Sequence, residues 1–266
     1  MKLHDELFRD FTYTTRAAAY RALPFSYLAS VDSSAKIVKG QKRGYETLVL
    51  YLAPSKQSGF DVCPFATSQC MKACLATSGR AKMEIAAGKR TIRDARIAKT
   101  RFFHINRTAF CQLLFDEIAA AKRAAERRGN AFAVRLNGTS DIPVTDFILN
   151  GKTVLQAFRD VQFYDYTKAA SRVLHAAVYA NYHITLSYTG TGANPSQCIA
   201  YMERGGNAAV VFAGKTLPRE WNGFRVIDGD ETDLRFLDKR GTVVGLRFKS
   251  VARKIDFNGN PFIVPV

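Results

Sequence analysis

Seven short apolar runs, most of them separated by helix-length stretches, constrain this chain more than any other feature of its sequence. They are ETLVLYLAP (46–54), AFAVRLNG (131–138), VQFYDYTK (161–168), HITLSYTG (183–190), NAAVVFAG (207–214), RVIDGD (225–230) and GTVVGLRF (241–248). Runs rich in β-branched and apolar residues, bounded by Gly, Pro, Asn or Asp, read as buried strands. Between them ASRVLHAAVY and NPSQCIAYMERG read as helices, and TSDIPVTDFI leads into another. Strand, loop, helix and strand at this spacing build βαβ units on a parallel sheet. The expected class is α/β: a complete or partial (βα) TIM-like barrel of about six or seven mostly parallel strands in a single domain. A doubly wound open sheet is the other solution. Residues 1–45 read as an N-terminal extension packed on the main domain, and 46–266 as the barrel-like domain with a cysteine-rich loop.

The longest helical pattern lies between the first and second runs. From 82 to 128, Ile85, Ile92, Ala95 and Phe102 recur at spacings of seven and three and mark a buried stripe. Lys82, Lys89, Arg93 and Arg96 share another face. Between residues 80 and 107, nine lysines and arginines stand against Glu84 and Asp94 only. A second helix, about 107–128, stops at Gly129. The whole chain carries a formal net charge of +16. Such a balance favours a polyanionic partner, nucleic acid or a phosphorylated small molecule. No apolar run approaches the ~18 residues of a membrane span, and the acidic MKLHDELFRDF lacks the pattern of a signal peptide. The expectation is a cytoplasmic protein with no membrane partner.

Polar residues collect where the apolar runs end. Arg135, Asn137, Thr139 and Asp141 stand at or just beyond the end of the second run, Asp165 and Lys168 at the end of the third, Ser187 at that of the fourth, and Asp228 and Asp230 at that of the sixth. These are C-terminal ends of parallel strands, the edge where α/β folds place their sites. Any one of them can be a turn or helix cap; together they point to one mouth. Asp141, Asp165 and Lys168 are the candidate catalytic residues. Lys168 would hold an anion, or act as a base if desolvation lowers its pKa. Arg135, Asn137, Thr139, Ser187, Asp228 and Asp230 are the candidate substrate-binding residues, with Lys89, Arg93 and Arg96 for phosphates.

The stretch CPFATSQCMKAC places Cys63, Cys70 and Cys74 directly after the first strand. In a reducing compartment such a group serves metal or redox chemistry rather than a structural disulfide. The C-x6-C-x3-C spacing is not that of a zinc knuckle; zinc takes four protein ligands in a structural site, where His104, Cys111 or Cys198 could supply the fourth, or three plus water in a catalytic one. Three thiolates suit a [4Fe–4S] cluster with one iron open to a small molecule. Three readings stand: Fe–S cluster, zinc, and structural or redox thiols.

A cysteine loop after the first barrel strand, with a polar motif ending the next, resembles the layout of radical S-adenosylmethionine barrels, although those carry C-x3-C-x2-C. That layout implies S-adenosylmethionine as a possible cofactor. The pieces LYLAP, CPFA, VRLNGTSDIP, VQFYDYTK and VIDGDETDLRFLD resemble, over about residues 45 to 255, a family of phage and prophage proteins. It shares its cysteine-rich element with the phage gene product 88 proteins. The resemblance implies a viral or mobile-element origin, hence a host-cell cytoplasm, and little chemistry.

Three functions follow. The first is a metal-centre enzyme, its Cys63, Cys70 and Cys74 holding a [4Fe–4S] cluster, acting on a nucleotide, nucleic acid or other anionic substrate. The second is a non-catalytic nucleic-acid-binding protein, a replication or anti-host factor, with a zinc or thiol loop. The third is a divalent-metal nuclease using Asp141, Asp165, Asp228, Asp230 and Asp233. The four histidines (4, 104, 175, 183) do not follow strand ends, which argues against a Ser/His/Asp or Cys/His hydrolase.

Overall fold

In the computed structural model, residues 4–31, 34–249 and 259–266 are described. Parts of the predicted N-terminal extension (1–3, 32–33) and of the predicted barrel-like domain (250–258) lie outside them, as does the side chain of His175.

All seven apolar runs are strands. In chain order they are β2 (Tyr45–Leu50), β3 (Ala131–Arg135), β6 (Gln162–Thr167), β7 (Tyr182–Ser187), β8 (Asn207–Phe212), β10 (Phe224–Asp228) and β11 (Val243–Arg247). They lie in one 10-stranded sheet, neighbour to neighbour in the order β2-β3-β6-β7-β8-β11-β10, and every pair among them is parallel. Short strands β1 (Ala29–Ser30) and β9 (Glu220–Trp221) pair antiparallel with β2 and β10 at the two edges. The expected barrel is therefore not closed. Its first five parallel strands do follow the sequential order of a barrel, but each edge ends in an antiparallel two-residue strand. Short edge strands of this kind blunt further pairing. β12 (Ile263–Val264) joins β8 at Val211 and Phe212. β11 occupies one edge of β8 and β7 the other, and β7 pairs only as far as Ala209. β12 thus takes over the edge that β7 leaves, so the sheet forks at the C-terminal ends of β7 and β8.

Sequential order with right-handed crossovers puts the connecting helices on one face of the sheet. On that face Leu48, Leu50, Phe132, Val134 and Phe163 pack in one core with α6 (Thr91–Ile105) and α7 (Arg107–Arg127). Leu186, Val210 and Phe212 pack with Cys198 and Met202 of α10 (Asn194–Glu203). The N-terminal extension enters the first core. Phe8 of α1 (Asp5–Arg9) and Phe11 sit with their ring centroids 5.1 and 5.4 Å from Phe102, and Phe25 at 6.4 Å.

Two helical expectations are corrected. The 82–128 pattern breaks at Gly88, whose φ of 71° ends α5 (Arg80–Ala86) before α6 begins. Ile85 is exposed, and the buried stripe is Ile97, Ala98, Phe102 and Phe103 instead. Lys99, one of the nine lysines and arginines between residues 80 and 107, is buried; its ammonium donates to the Leu28 carbonyl at 2.9 Å and lies over the Tyr27 ring. The helix expected after TSDIPVTDFI is reduced to one turn, α8 (Val154–Ala157), behind a hairpin of β4 (Ile148–Leu149) and β5 (Lys152–Thr153). Asn150 and Gly151, both at positive φ, form its turn, the dipeptide that two-residue hairpins favour.

The fork depends on Gly190. At φ 73° it lies so close to Pro261 that an added Cβ would stand 1.9 Å from the Pro261 carbonyl oxygen. Gly190→Ala is expected to destabilise the protein by about 1–3 kcal/mol through overpacking. Hydrogen exchange at Ala213 N, which bonds the Val264 carbonyl, should speed up more than exchange in β2 or β3.

Candidate functional site

The face opposite the helices carries Thr47, Arg135, Tyr164, Tyr166, Thr185 and Asn207, most of them buried. A segment after β10 covers it. Asp233 in that segment accepts from Arg135 Nη1 at 2.8 Å and from Tyr164 Oη at 3.1 Å, and faces Lys36 at 3.6 Å. Phe236 lies between Tyr45 and Tyr164. The upper half of the face stays open as a cavity of about 720 Å3, within the range of small-molecule sites. Cys63, Cys70 and Cys74 line it, together with Lys168, Asp141 and Arg135.

Most candidates meet there. Asn137, Thr139, Ser187 and Asp230 also line the cavity. Gly138 does too, and it has no room for a side chain: a Cβ would stand 2.6 Å from the Tyr51 ring and 2.8 Å from the Leu50 carbonyl. Three groups of candidates are placed elsewhere. Asp165 is buried behind the cavity wall, where its carboxylate accepts from Asn137 N (2.8 Å) and Nδ2 (3.1 Å). It positions Asn137 and does not line the cavity. Asp228 is exposed outside the cavity and paired with Arg247. Lys89, Arg93 and Arg96 line a separate, smaller cavity.

Several cavity candidates are occupied structurally. Asn137 Oδ1 accepts from Ser140 and from Ile142 N, and its Nδ2 donates to the Ile142 carbonyl, so its amide shapes the loop. Thr139 donates to the Leu52 carbonyl. Asp141 accepts from Thr167 Oγ1, Lys168 N and Arg172.

Lys168 differs from these. Among the described residues its ammonium forms no hydrogen bond or ion pair, and it lies 6.0 Å from the Phe262 ring centroid. Burial opposes its charge, yet Cys70, Asp141, Cys63 and Cys74 around it hold its pKa above the usual lysine value. That makes it a fixed cation rather than the base contemplated from the sequence. Lys36 is the cavity lysine whose pKa falls: burial lowers it to about 8, against the pull of Asp233 and Asp230. No apolar run precedes Lys36, so only the long-range closure of the fold reveals it. Arg172 was likewise missed, though it lies one helical turn beyond Lys168 in YTKAASR.

The cysteines are free thiols. Burial pushes Cys63 up to about 11 and raises Cys74. Cys63 Sγ faces the Thr139 carbonyl at 3.8 Å. Among the described residues no group of three or more His, Cys, Asp or Glu side chains converges in a metal-holding arrangement. The three thiols stand on one wall of the open cavity and are of the soft donor type that iron–sulfur clusters and zinc take.

Fold and site together define a singly wound α/β protein whose cavity lies at the C-terminal ends of its parallel strands, walled by a cysteine loop. The chain belongs to the Gene product 88 family, a phage gene-product family whose model matches residues 28–260. The match begins inside the predicted N-terminal extension and takes in Lys36. No curated protein and no solved structure matches the chain. Among the described residues no helix is long and apolar enough to cross a membrane.

Burial pushes the Asp165 carboxyl up to about 7, against Arg135 and the Asn137 bonds. A folded-state pKa above the unfolded value means that stability at this site falls as pH rises from about 4 through 7. Asp165→Asn cannot titrate. The difference in Tm between this variant and the wild type should therefore shift in the variant's favour from pH 5 to pH 8; a difference independent of pH would place the Asp165 pKa outside this window.

Proposed function

We propose that the protein is an enzyme that binds an anionic substrate, a nucleotide, nucleic acid or other phosphorylated molecule, in the cavity at its strand ends. In this reading Cys63, Cys70 and Cys74 hold a [4Fe–4S] cluster. The observation that carries it is the meeting of the three cysteines, the unpaired Lys168 ammonium and Lys36 in one cavity. Lys168 supplies charge for a phosphate or carboxylate. Lys36, with its pKa near 8, holds or releases a proton at Nζ near neutral pH. Asp141 orients the Lys168 backbone and Arg172, and Asn137 shapes the loop between them. A bound cluster would supply one-electron chemistry. S-adenosylmethionine is one small molecule to test at its open iron, on the strength of the loop's place after the first parallel strand.

The nuclease alternative has less support. Asp141, Asp230 and Asp233 each pair with a cation, Asp228 pairs with Arg247, and Asp165 is filled by Asn137. No free carboxylate pair among these five is left for a divalent metal.

Anaerobic purification with iron and sulfide analysis tests the cluster. About four irons per chain with a broad band near 400 nm are expected, and each single Cys→Ala change should lose both. A colourless protein with about one zinc per chain would overturn it. Independently, Lys168→Ala should weaken binding of a nucleoside triphosphate by about tenfold to a hundredfold in calorimetry, the scale of one charge-assisted contact. Unchanged binding would remove Lys168 from the site.

A further inference from the structure

Beside the main cavity lies a second of about 350 Å3, and Pro54 and Gln57 stand in the walls of both. Lys89, Arg90, Arg93 and Arg96 line it, with Glu84 the one acid in its wall. Glu84 is already used, since its Oε2 accepts from Ile92 N at 2.9 Å. Arg96 is fixed by a 3.1 Å bond to the Ala76 carbonyl and by stacking 5.1 Å from the Tyr51 ring centroid. The side chains of Lys89, Arg90 and Arg93 form no hydrogen bond or ion pair among the described residues. Unpaired cations gathered in a concavity repel one another, and a bound anion relieves that repulsion.

The cysteine-rich loop is the ridge between the two cavities. Its Ala73, Cys74 and Leu75 face the main one, and Ala76 and Thr77 the other. The ridge leaves apolar side chains bare: Leu75 is 53% exposed, Met71 41% and Phe65 48%. The guanidinium of Arg172 lies 5.6 Å from the Phe65 ring centroid. Cations for a backbone beside bare apolar and aromatic faces for bases are what a sequence-tolerant single-strand site requires. A duplex delivers a base to a cavity only by flipping it out, at the cost of unpairing and unstacking that a single strand does not bear.

We propose that a single-stranded nucleic acid crosses the cysteine-rich loop, with backbone phosphates in the Lys89–Arg90–Arg93 cavity, bases against Leu75, Met71 and Phe65, and one nucleotide in the main cavity. The last element rests on the function proposed above; the second cavity does not.

Fluorescence anisotropy with a 5′-labelled twelve-residue oligothymidylate tests it. The Lys89→Glu/Arg93→Glu variant should bind the strand at least ~10-fold more weakly, and its slope of log affinity against log salt should be shallower by about 0.7 per lost phosphate contact. Phe65→Ala should weaken binding a few-fold with no change in salt slope, as a lost stacking surface does. Lys152→Glu/Arg159→Glu, the same charge change at two exposed positions remote from both cavities, should stay near wild type. Equal losses in the two double variants would show unspecific attraction and overturn the proposal, as would an unaffected Lys89→Glu/Arg93→Glu protein that melts like wild type. Lys168→Ala separates the two readings. Strand binding untouched by Lys168→Ala but lost in Lys89→Glu/Arg93→Glu keeps the second cavity and removes the main-cavity function. The reverse pattern overturns this inference and leaves the other.

Discussion

The Asp141 carboxylate holds the cavity together. It accepts from Thr167 Oγ1, the Lys168 backbone N–H and Arg172, so one buried side chain ties the loop after β3 to the end of β6. Its own backbone N–H donates to the Val62 carbonyl at 2.7 Å, next to Cys63. Three segments far apart in sequence therefore take their relative positions from one residue. A carboxylate buried this deeply is tolerable only because charged and neutral donors satisfy its oxygens. The same arrangement leaves the Lys168 ammonium unpaired among the described residues, since the carboxylate engages its backbone rather than its charge.

The cavity floor repeats the principle. Arg135 and Asp233 form a buried ion pair that Tyr164 and Lys36 extend. Buried pairs of this kind are weak evidence for stability, because desolvation offsets most of their attraction. Their effect is geometric. Together with Asp233, Arg135 holds the covering segment over the polar face of the sheet; burial disfavours the guanidinium charge, and Asp233 more than offsets it. Asp233 itself is held well below the ordinary carboxylate range by Arg135 and Lys36, although burial acts the other way.

The strands were legible because each of the seven runs is a short β-rich segment with turn residues at its ends, and local composition decides such elements. Strand ends are fixed once the strands are, so Lys168, Asp141, Arg135 and the cysteines could be placed at one mouth from sequence alone. Barrel closure could not be, since it depends on edge pairings that no local pattern encodes. The second helix of the 82–128 reading is α7, while the first is broken at Gly88, where the chain takes a positive φ. Asp165 was misread because a carboxylate in a strand reads the same whether it faces a ligand or a neighbouring amide. Lys36 was missed because it reaches the cavity through a contact with residues nearly two hundred positions away.

Floor and wall of the cavity have different origins. The floor is strand backbone and side chains locked by buried ion pairs and register. The wall that carries the cysteines is a single excursion between β2 and the helices, whose hydrogen bonds to the rest of the fold include Ser58 to Arg101, Val62 to Asp141, Cys63 to Thr139 and Ala76 to Arg96. Substitutions along its crest at Met71, Leu75 or Phe65 touch none of those anchors. What lines the mouth can therefore be exchanged side chain by side chain while the sheet beneath stays unchanged.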